Sequence, residues 1–280
     1  MPARVAITGA AGQLGRELVA AFSADGAEVL ALVRPDFDLT RTTDLDRLSG
    51  WRPHVVVNAA AWTDADGCAR DPEGASAING EAAGAVARAA QRVGALTVQV
   101  STNEVFDGEL DRPYTEDDAT NPINPYGVAK LLGERLVAQA SRRHLIVRTA
   151  WIFTRDSGFP TRIRAAADRV AAEGTPLRVV ADEWGNPTPA DWLATAITRL
   201  VALERAGGVS SGVYHVAGQP STTRLGWATS VLAGHAVSIE PMALAEYRRD
   251  SRVPSRAVLA TSRVAGLGIE PGDWSAASPR

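Results

Sequence analysis

Short, almost uninterrupted apolar runs separated by stretches of helical spacing dominate the first 150 residues. Residues 4–8 (RVAIT) read as a buried strand that passes straight into a glycine-rich turn, after which Leu14, Leu18, Val19 and Phe22 fall on one side of a helix. Further strands are expected at 28–33, 54–58, 96–100 and 144–148, with an alanine-rich helix over 80–93. Because these runs are apolar at consecutive positions, both faces of their sheet must be covered, as in parallel sheets wound with helices. The pattern predicts an α/β fold with a doubly wound parallel sheet. After about Ile152 the alternation weakens and Arg, Pro, Gly and Trp become frequent. Helices are expected near 159–173, 190–205, 223–233 and 243–248, and strands near 177–180 and 212–216. This predicts a ligand-binding α/β domain over 1–151, rejoined by about 188–217. A smaller mixed substrate lobe is expected from about 152–187 and 218–280, above the C-terminal edge of the sheet where open α/β sheets bind ligands. The tail from Gly272 is expected to fray.

Composition narrows the function classes. The 280 residues are 45% hydrophobic with a net charge of -3, and the charges are interspersed, so no basic footprint for nucleic acid or an anionic membrane is present. One cysteine, Cys68, and four scattered histidines give neither a disulfide nor a metal-ligand spacing, and no metal is expected. Asp64, Asp66 and the Glu116-Asp117-Asp118 cluster are read as loop charges. No apolar run approaches the roughly 18 residues of a membrane span, nor does the start resemble a signal peptide, so a cytoplasmic protein is expected.

Two motifs carry candidate chemistry. In Gly9-Ala10-Ala11-Gly12-Gln13-Leu14-Gly15 the glycines end a strand and begin a helix, leaving backbone N–H groups and a helix N-terminus facing outward. That context reads as a dinucleotide cradle, against the alternative of a ligand-free glycine turn. At the end of the second strand, about 20 residues on, a carboxylate would favour NAD and an arginine the 2'-phosphate of NADP. Arg34 stands there, so NADPH is the preferred cofactor, with NADH open and Arg34 readable as a loop charge. Asp38 and Leu39 are expected beside the adenine, and the small residues after Asn58 (Ala59, Ala60, Ala61) where the dinucleotide passes. The second motif is Tyr126-xxx-Lys130, two residues on one helical face. A tyrosine has a reference pKa of about 10, and a nearby ammonium can supply much of the roughly 4 kcal/mol needed to bring it near neutrality. Such a phenol can protonate a carbonyl oxygen as hydride arrives at the carbon.

The glycine spacing, the NAAA segment, Ser101-Thr102 and Tyr126-xxx-Lys130 together resemble the extended short-chain dehydrogenase/reductase superfamily, with its Rossmann sheet. More narrowly, TGAAGQLGRE, VVVNAAAWTDAD, STNEVFDG, NPYGVAKLLGE, RTAWIF, WGNPTPADWLA and GVYHVAG are similar to the dTDP-4-dehydrorhamnose reductases and related NDP-4-keto-sugar reductases. The resemblance implies hydride transfer to the C4 keto group of a nucleotide-activated, dTDP-linked 4-keto-6-deoxysugar. It also implies Thr102 as the hydroxyl bonding the carbonyl, Tyr126 as proton donor and Lys130 as the cation on the nicotinamide ribose. Asn103, Glu104, Val105, Phe106 and Trp151 are implied to shape the sugar pocket. Arg252 and Arg256 read either as diphosphate ligands or as surface arginines. The family reductases carry Thr-Asp-Tyr where this chain has Thr102-Asn103-Glu104, which separates its sugar pocket from theirs. Related 4,6-dehydratases carry Thr-Asp-Glu, and Asn103 cannot act as the acid of that pair. The alternatives are a cofactor-recycling epimerase or dehydratase, and a non-catalytic regulator resembling the regulatory subunit of methionine adenosyltransferase. A homodimer is left open.

Overall fold

The computed structural model describes residues 2–277. Its first half runs β1 (Arg4–Thr8), α1 (Gln13–Ala24), β2 (Glu28–Leu32), α2 (Thr42–Gly50), β3 (Val55–Asn58), α3 (Ala65–Arg70), α4 (Pro72–Ala75), α5 (Ala82–Gln91), β4 (Leu96–Thr102), α6 (Pro125–Ala140) and β5 (His144–Thr149). The second half contributes β6 (Ile152–Phe153), α7 (Phe159–Glu173), β7 (Leu177–Val180), β8 (Trp184–Gly185), β9 (Thr188–Pro189), α8 (Ala190–Arg205) and β10 (Gly212–His215). It ends with β11 (Thr222–Thr223), α9 (Arg224–Val231), β12 (Ile239–Met242), α10 (Ser262–Ala265) and α11 (Trp274–Ala277).

Six strands form one parallel sheet in the order β10-β5-β4-β3-β1-β2. The chain leaves β1 toward β2 on one side and returns through β3 on the other, so the C-terminal ends of β1 and β3 flank a topological switch point. The central strands β1, β3 and β4 are buried on both faces, as their consecutive valines and isoleucines require, whereas the edge strand β2 is only partly covered. One face packs on α1 and α8 through Leu14, Leu18, Phe22, Leu193, Ile197 and Leu200. The other packs on α2 and α5 through Leu45, Leu48, Val86 and Ala90. A separate apolar cluster holds the later elements together. Fully buried Trp227 lies among Phe153, Phe159 and Trp274, beneath the parallel pair β7–β12.

Three expectations need correction. The helix foreseen at 243–248 is a single 3-10 turn, Leu244–Glu246, because none of its side chains is buried and a lone turn has no core to lean on. The helix expected from Gly80 begins as a π-turn over Ser76–Glu81. There the helix meets α6 so closely that a Cβ on Gly133 would lie 2.4 Å from the Asn79 carbonyl oxygen, and the wider turn accommodates that approach. It also lets Asn79 grip the Trp62 backbone through both ends of its amide. Finally, the tail does not fray at Gly272. Gln219 N–H donates to the Gly272 carbonyl, and buried Trp274 donates its indole N–H to the Pro220 carbonyl at 2.6 Å. The end of that expected segment, 278–280, lies outside the described residues.

Candidate active site

At the end of β1 the backbone turns through Gly9 at φ +66°, where a Cβ would come within 2.7 Å of the Ala60 backbone. A Cβ on Gly15 would lie 2.1 Å from the Gly9 carbonyl oxygen, so both glycines are fixed by backbone proximity. Gly12 N–H donates to the Gly9 carbonyl at 2.9 Å and closes the turn. Gly12 then caps α1 with no side-chain hydrogen bond, and no acid sits in the first helical turn. Ala11 and Gly12 are exposed, Gln13 is half-buried and Leu14 sends its side chain into the core. The twelve-residue helix thus presents an uncapped N-terminus at the switch point, framed by Ala59 and Ala60, and the cradle fits a dinucleotide pyrophosphate.

Beside it, Arg34 is exposed and makes no hydrogen bond among the described residues. Asp38 accepts from the Thr40 N–H and hydroxyl, which hold its carboxyl below the usual range, and Leu39 is buried. Asn58 belongs to a buried row across the strand ends. Thr8 donates its hydroxyl to Asn58 Oδ1, Asn58 Nδ2 donates to Gln99 Oε1 at 2.8 Å, and Gln99 Nε2 donates to the Val100 carbonyl at 2.9 Å.

Lys130 joins that row instead of the phenol. Its ammonium is buried and donates to the same Val100 carbonyl at 2.6 Å. Burial pushes the Lys130 amine down to about 8, against the pull of Glu134 one helical turn on. Tyr126 is tuned opposite to the sequence expectation. Burial raises its phenol above the ordinary value and the Glu104 carboxyl adds to this, while the neighbouring Thr102 hydroxyl eases its ionisation. Thr102 and Tyr126 therefore lie near each other, one from the end of β4 and one from the first turn of α6. That turn is set by Asn124, whose Oδ1 accepts from Gly127 N–H at 2.7 Å, and by Pro125 at the first helical position. Asn124 Nδ2 also donates to Glu104 Oε2 and to the Arg252 carbonyl, both at 2.7 Å.

The residues after Thr102 divide. Asn103 is buried, and its amide donates to the Ala257 carbonyl at 2.9 Å, a bond that an ionised aspartate in its place could not make. Glu104 faces a small, open cleft that it shares with Asn103, Trp151, Glu183, Trp184, Val253 and Pro254. Its carboxyl is raised by burial and by Glu183, with Asn124, Arg249 and Arg224 opposing. Val105 and Phe106, expected in the pocket wall, are core residues. Phe106 stacks on Tyr114 with centroids 4.2 Å apart, and the short turn at Asn103–Val105 carries both side chains inward with Leu131 and Leu259.

Trp151 lines the cleft in a left-handed conformation, φ +45°, a strain on the order of 1–3 kcal/mol for such a residue. Its ring holds that pose by packing, with the Arg224 guanidinium 3.6 Å from the ring centroid, Trp227 stacked at 5.7 Å and Gly185 flush against it. Arg224 also donates from Nε and Nη2 to Glu183 Oε1, at 3.1 and 3.0 Å. Of the two candidate arginines, Arg252 has an exposed side chain, whereas Arg256 lies over the Trp184 ring at 5.3 Å. The segment carrying them is tied to α3. Asp66, read from sequence as a loop charge, accepts from Arg249 Nε and Ser251 N–H, and Arg70 pairs with Asp250. Glu183, Asn124, Gln99 and Asp66 were not foreseen at the site. Only Asn124 had a local signal, as an Asn-Pro pair opening a helix. Cys68 is buried beside Tyr126, its thiol pushed up to about 11 by burial and then by the Asp64 and Glu104 carboxylates. Among the described residues no group of three or more His, Cys, Asp or Glu could hold a metal ion, and no helix is long and apolar enough to cross a membrane.

A glycine cradle at the switch point, with a tyrosine–threonine pair beside a cleft, defines a Rossmann-type protein of the short-chain dehydrogenase/reductase class. The chain belongs to the RmlD substrate binding domain family, whose model matches residues 3–280. It is 38% identical, over 97% of its length and 95% of the relative's, to a dTDP-4-dehydrorhamnose reductase of Burkholderia thailandensis. A Streptomyces griseus enzyme of the same description is 37% identical, over 97% of this chain and 90% of that one. The fold superimposes with a TM-score of 0.90 on a Bacillus anthracis dTDP-4-dehydrorhamnose reductase in complex with NADP, at 28% identity over 99% and 97% of the two chains.

Proposed function

We propose that this protein is an NADPH-dependent reductase of the C4 keto group in a dTDP-linked 4-keto-6-deoxysugar, acting in the cytoplasm. The observation that carries the reading is that Thr102, Tyr126 and the cleft residue Glu104 gather at the same C-terminal edge of the parallel sheet as the glycine cradle. NADPH, when bound, supplies the hydride. Gly9, Ala11, Gly12, Gln13 and Gly15 would hold its pyrophosphate against the uncapped N-terminus of α1, with Arg34 free for the 2'-phosphate. Tyr126 delivers its proton to the sugar O4, and a raised phenol suits that task because it is fully protonated at neutral pH. Thr102 steadies the same oxygen as negative charge develops on it. Lys130 keeps a positive charge under the site below about pH 8. Support for the dTDP-linked sugar comes from the named relatives and from the residues quoted above.

The test is NADPH oxidation followed at 340 nm with a dTDP-4-keto-6-deoxyhexose, with the product characterised by NMR. Stoichiometric oxidation is expected, falling by about 10²- to 10⁴-fold in Tyr126→Phe while NADPH still binds. Cofactor binding without turnover of any such sugar nucleotide rejects the reading.

A further inference from the structure

Two carboxyls reach the cleft from distant parts of the chain, Glu104 from the end of β4 and Glu183 from the approach to β8. Each is anchored through one oxygen. Of the two Glu104 oxygens only Oε2 accepts from Asn124, and both Arg224 bonds go to Glu183 Oε1. No hydrogen bond reaches Glu104 Oε1 or Glu183 Oε2 among the described residues, and neither atom is sealed away from solvent. The cleft therefore carries two uncommitted acceptors beside the groups that meet the keto oxygen. Glu183 raises the Glu104 carboxyl, so the two are close enough to feel each other.

We propose that Glu104 and Glu183 clamp two neighbouring ring hydroxyls of the substrate, one hydroxyl on each free carboxyl oxygen, and so select a sugar that keeps its vicinal diol. This rests on the reductase reading of the same site. An ionised carboxylate only accepts hydrogen bonds, so the groups opposite must be donors. Arg224 and Arg249 already stand against these acids and disfavour a further cation, which makes neutral hydroxyls the better match than an ammonium. Arg224 also fixes Trp151, so the Glu183 arm is held before the sugar arrives. A site built to accept from substrate hydroxyls rejects the deoxygenated analogue strongly, because the bound sugar would cover its acceptors and leave them without partners.

Glutamine is the informative replacement at both positions. Its carbonyl oxygen would stay on Asn124 or Arg224, turning the NH₂ toward the cleft, so the anchor survives while the acceptor becomes a donor. The experiment is calorimetric binding of two dTDP-linked 6-deoxyhexoses without a ketone, one bearing the C2 and C3 hydroxyls and one 2,3-dideoxy. Wild type, Glu104→Gln, Glu183→Gln and the double variant are compared, with melting temperatures as a check on folding. Wild type should favour the diol by about a hundredfold, each single variant by about tenfold, and the folded double variant by less than about threefold. An unchanged preference in the folded double variant, or tighter binding of a 3-amino analogue than of the diol, overturns the clamp. Reduction of the matching 4-keto pair separates the two claims. No turnover with the binding preference intact rejects the reductase and leaves the clamp standing, whereas turnover without discrimination rejects the clamp alone. If neither sugar nucleotide binds, both claims fall.

Discussion

Removing Glu134 should cost more stability than any core methyl group, because it strands a cation in the middle of the sheet. Arg148, on β5, donates from Nε to Glu134 Oε1 at 2.9 Å and from Nη2 to Oε2 at 2.7 Å, and Ser101 adds its hydroxyl to Oε1. Both side chains of the pair are about 5% exposed, and Arg148 Nη1 already lacks a hydrogen-bond partner among the described residues. Among the described residues, Glu134→Ala leaves the guanidinium only the face of Phe106, 5.1 Å away. Breaking a buried pair from one side costs about 3–5 kcal/mol, a large share of the roughly 5–15 kcal/mol by which a folded domain is stable. At about 2 °C per kcal/mol in a chain of this size, the melting temperature should fall by about 6–10 °C. Glu134→Leu combined with Arg148→Met removes both charges and should recover most of that loss, since two apolar side chains owe no desolvation. Urea unfolding of wild type, single and double variants measures this directly. A loss below about 1 kcal/mol in Glu134→Ala, or a double variant no more stable than the single, refutes the reasoning.

The activity should carry an alkaline limb that belongs to Lys130. Its folded-state pKa of about 8 lies below the ordinary 10.5, so the ammonium is present below pH 8 and lost above it, and kcat/KM should decline through that range. Rate profiles from pH 6 to 10 should show the limb in wild type and not in Lys130→Met; persistence there would assign it elsewhere. Gly15→Ala places a Cβ against backbone on two sides, so the turn must open. NADPH affinity by fluorescence titration should drop at least tenfold, while Gly50→Ala, with nothing within 4 Å, should leave it unchanged. Equal affinity in Gly15→Ala would show that the cradle tolerates a side chain.

What could be read in advance was whatever the chain encodes locally. RVAIT followed at once by glycines specifies a strand ending in a tight turn, and Tyr126 and Lys130 share a helix whose Asn-Pro start is itself a signal. Groups joined by tertiary contact stayed hidden. Nothing near Glu183 in the sequence announces that β8 bridges to β11 and carries this acid to the cleft. The sense of the Tyr126 shift was misjudged for the same reason, since spacing puts Lys130 on the correct helical face but does not reveal that the Val100 carbonyl captures it. Phe106 was misassigned because one turn of 3-10 helix after β4 changes which side chains look inward, and no hydrophobic period is long enough there to register it.

The chain's single cysteine has a practical consequence. With a thiol near 11, only about one Cys68 in ten thousand is ionised at pH 7, and the sulfur is walled off besides. Maleimide dyes and alkylating probes should pass it by. A reactive handle introduced at an outward position such as Val128 would then be the sole labelled point, allowing fluorescence reporting with the native Cys68 left in place.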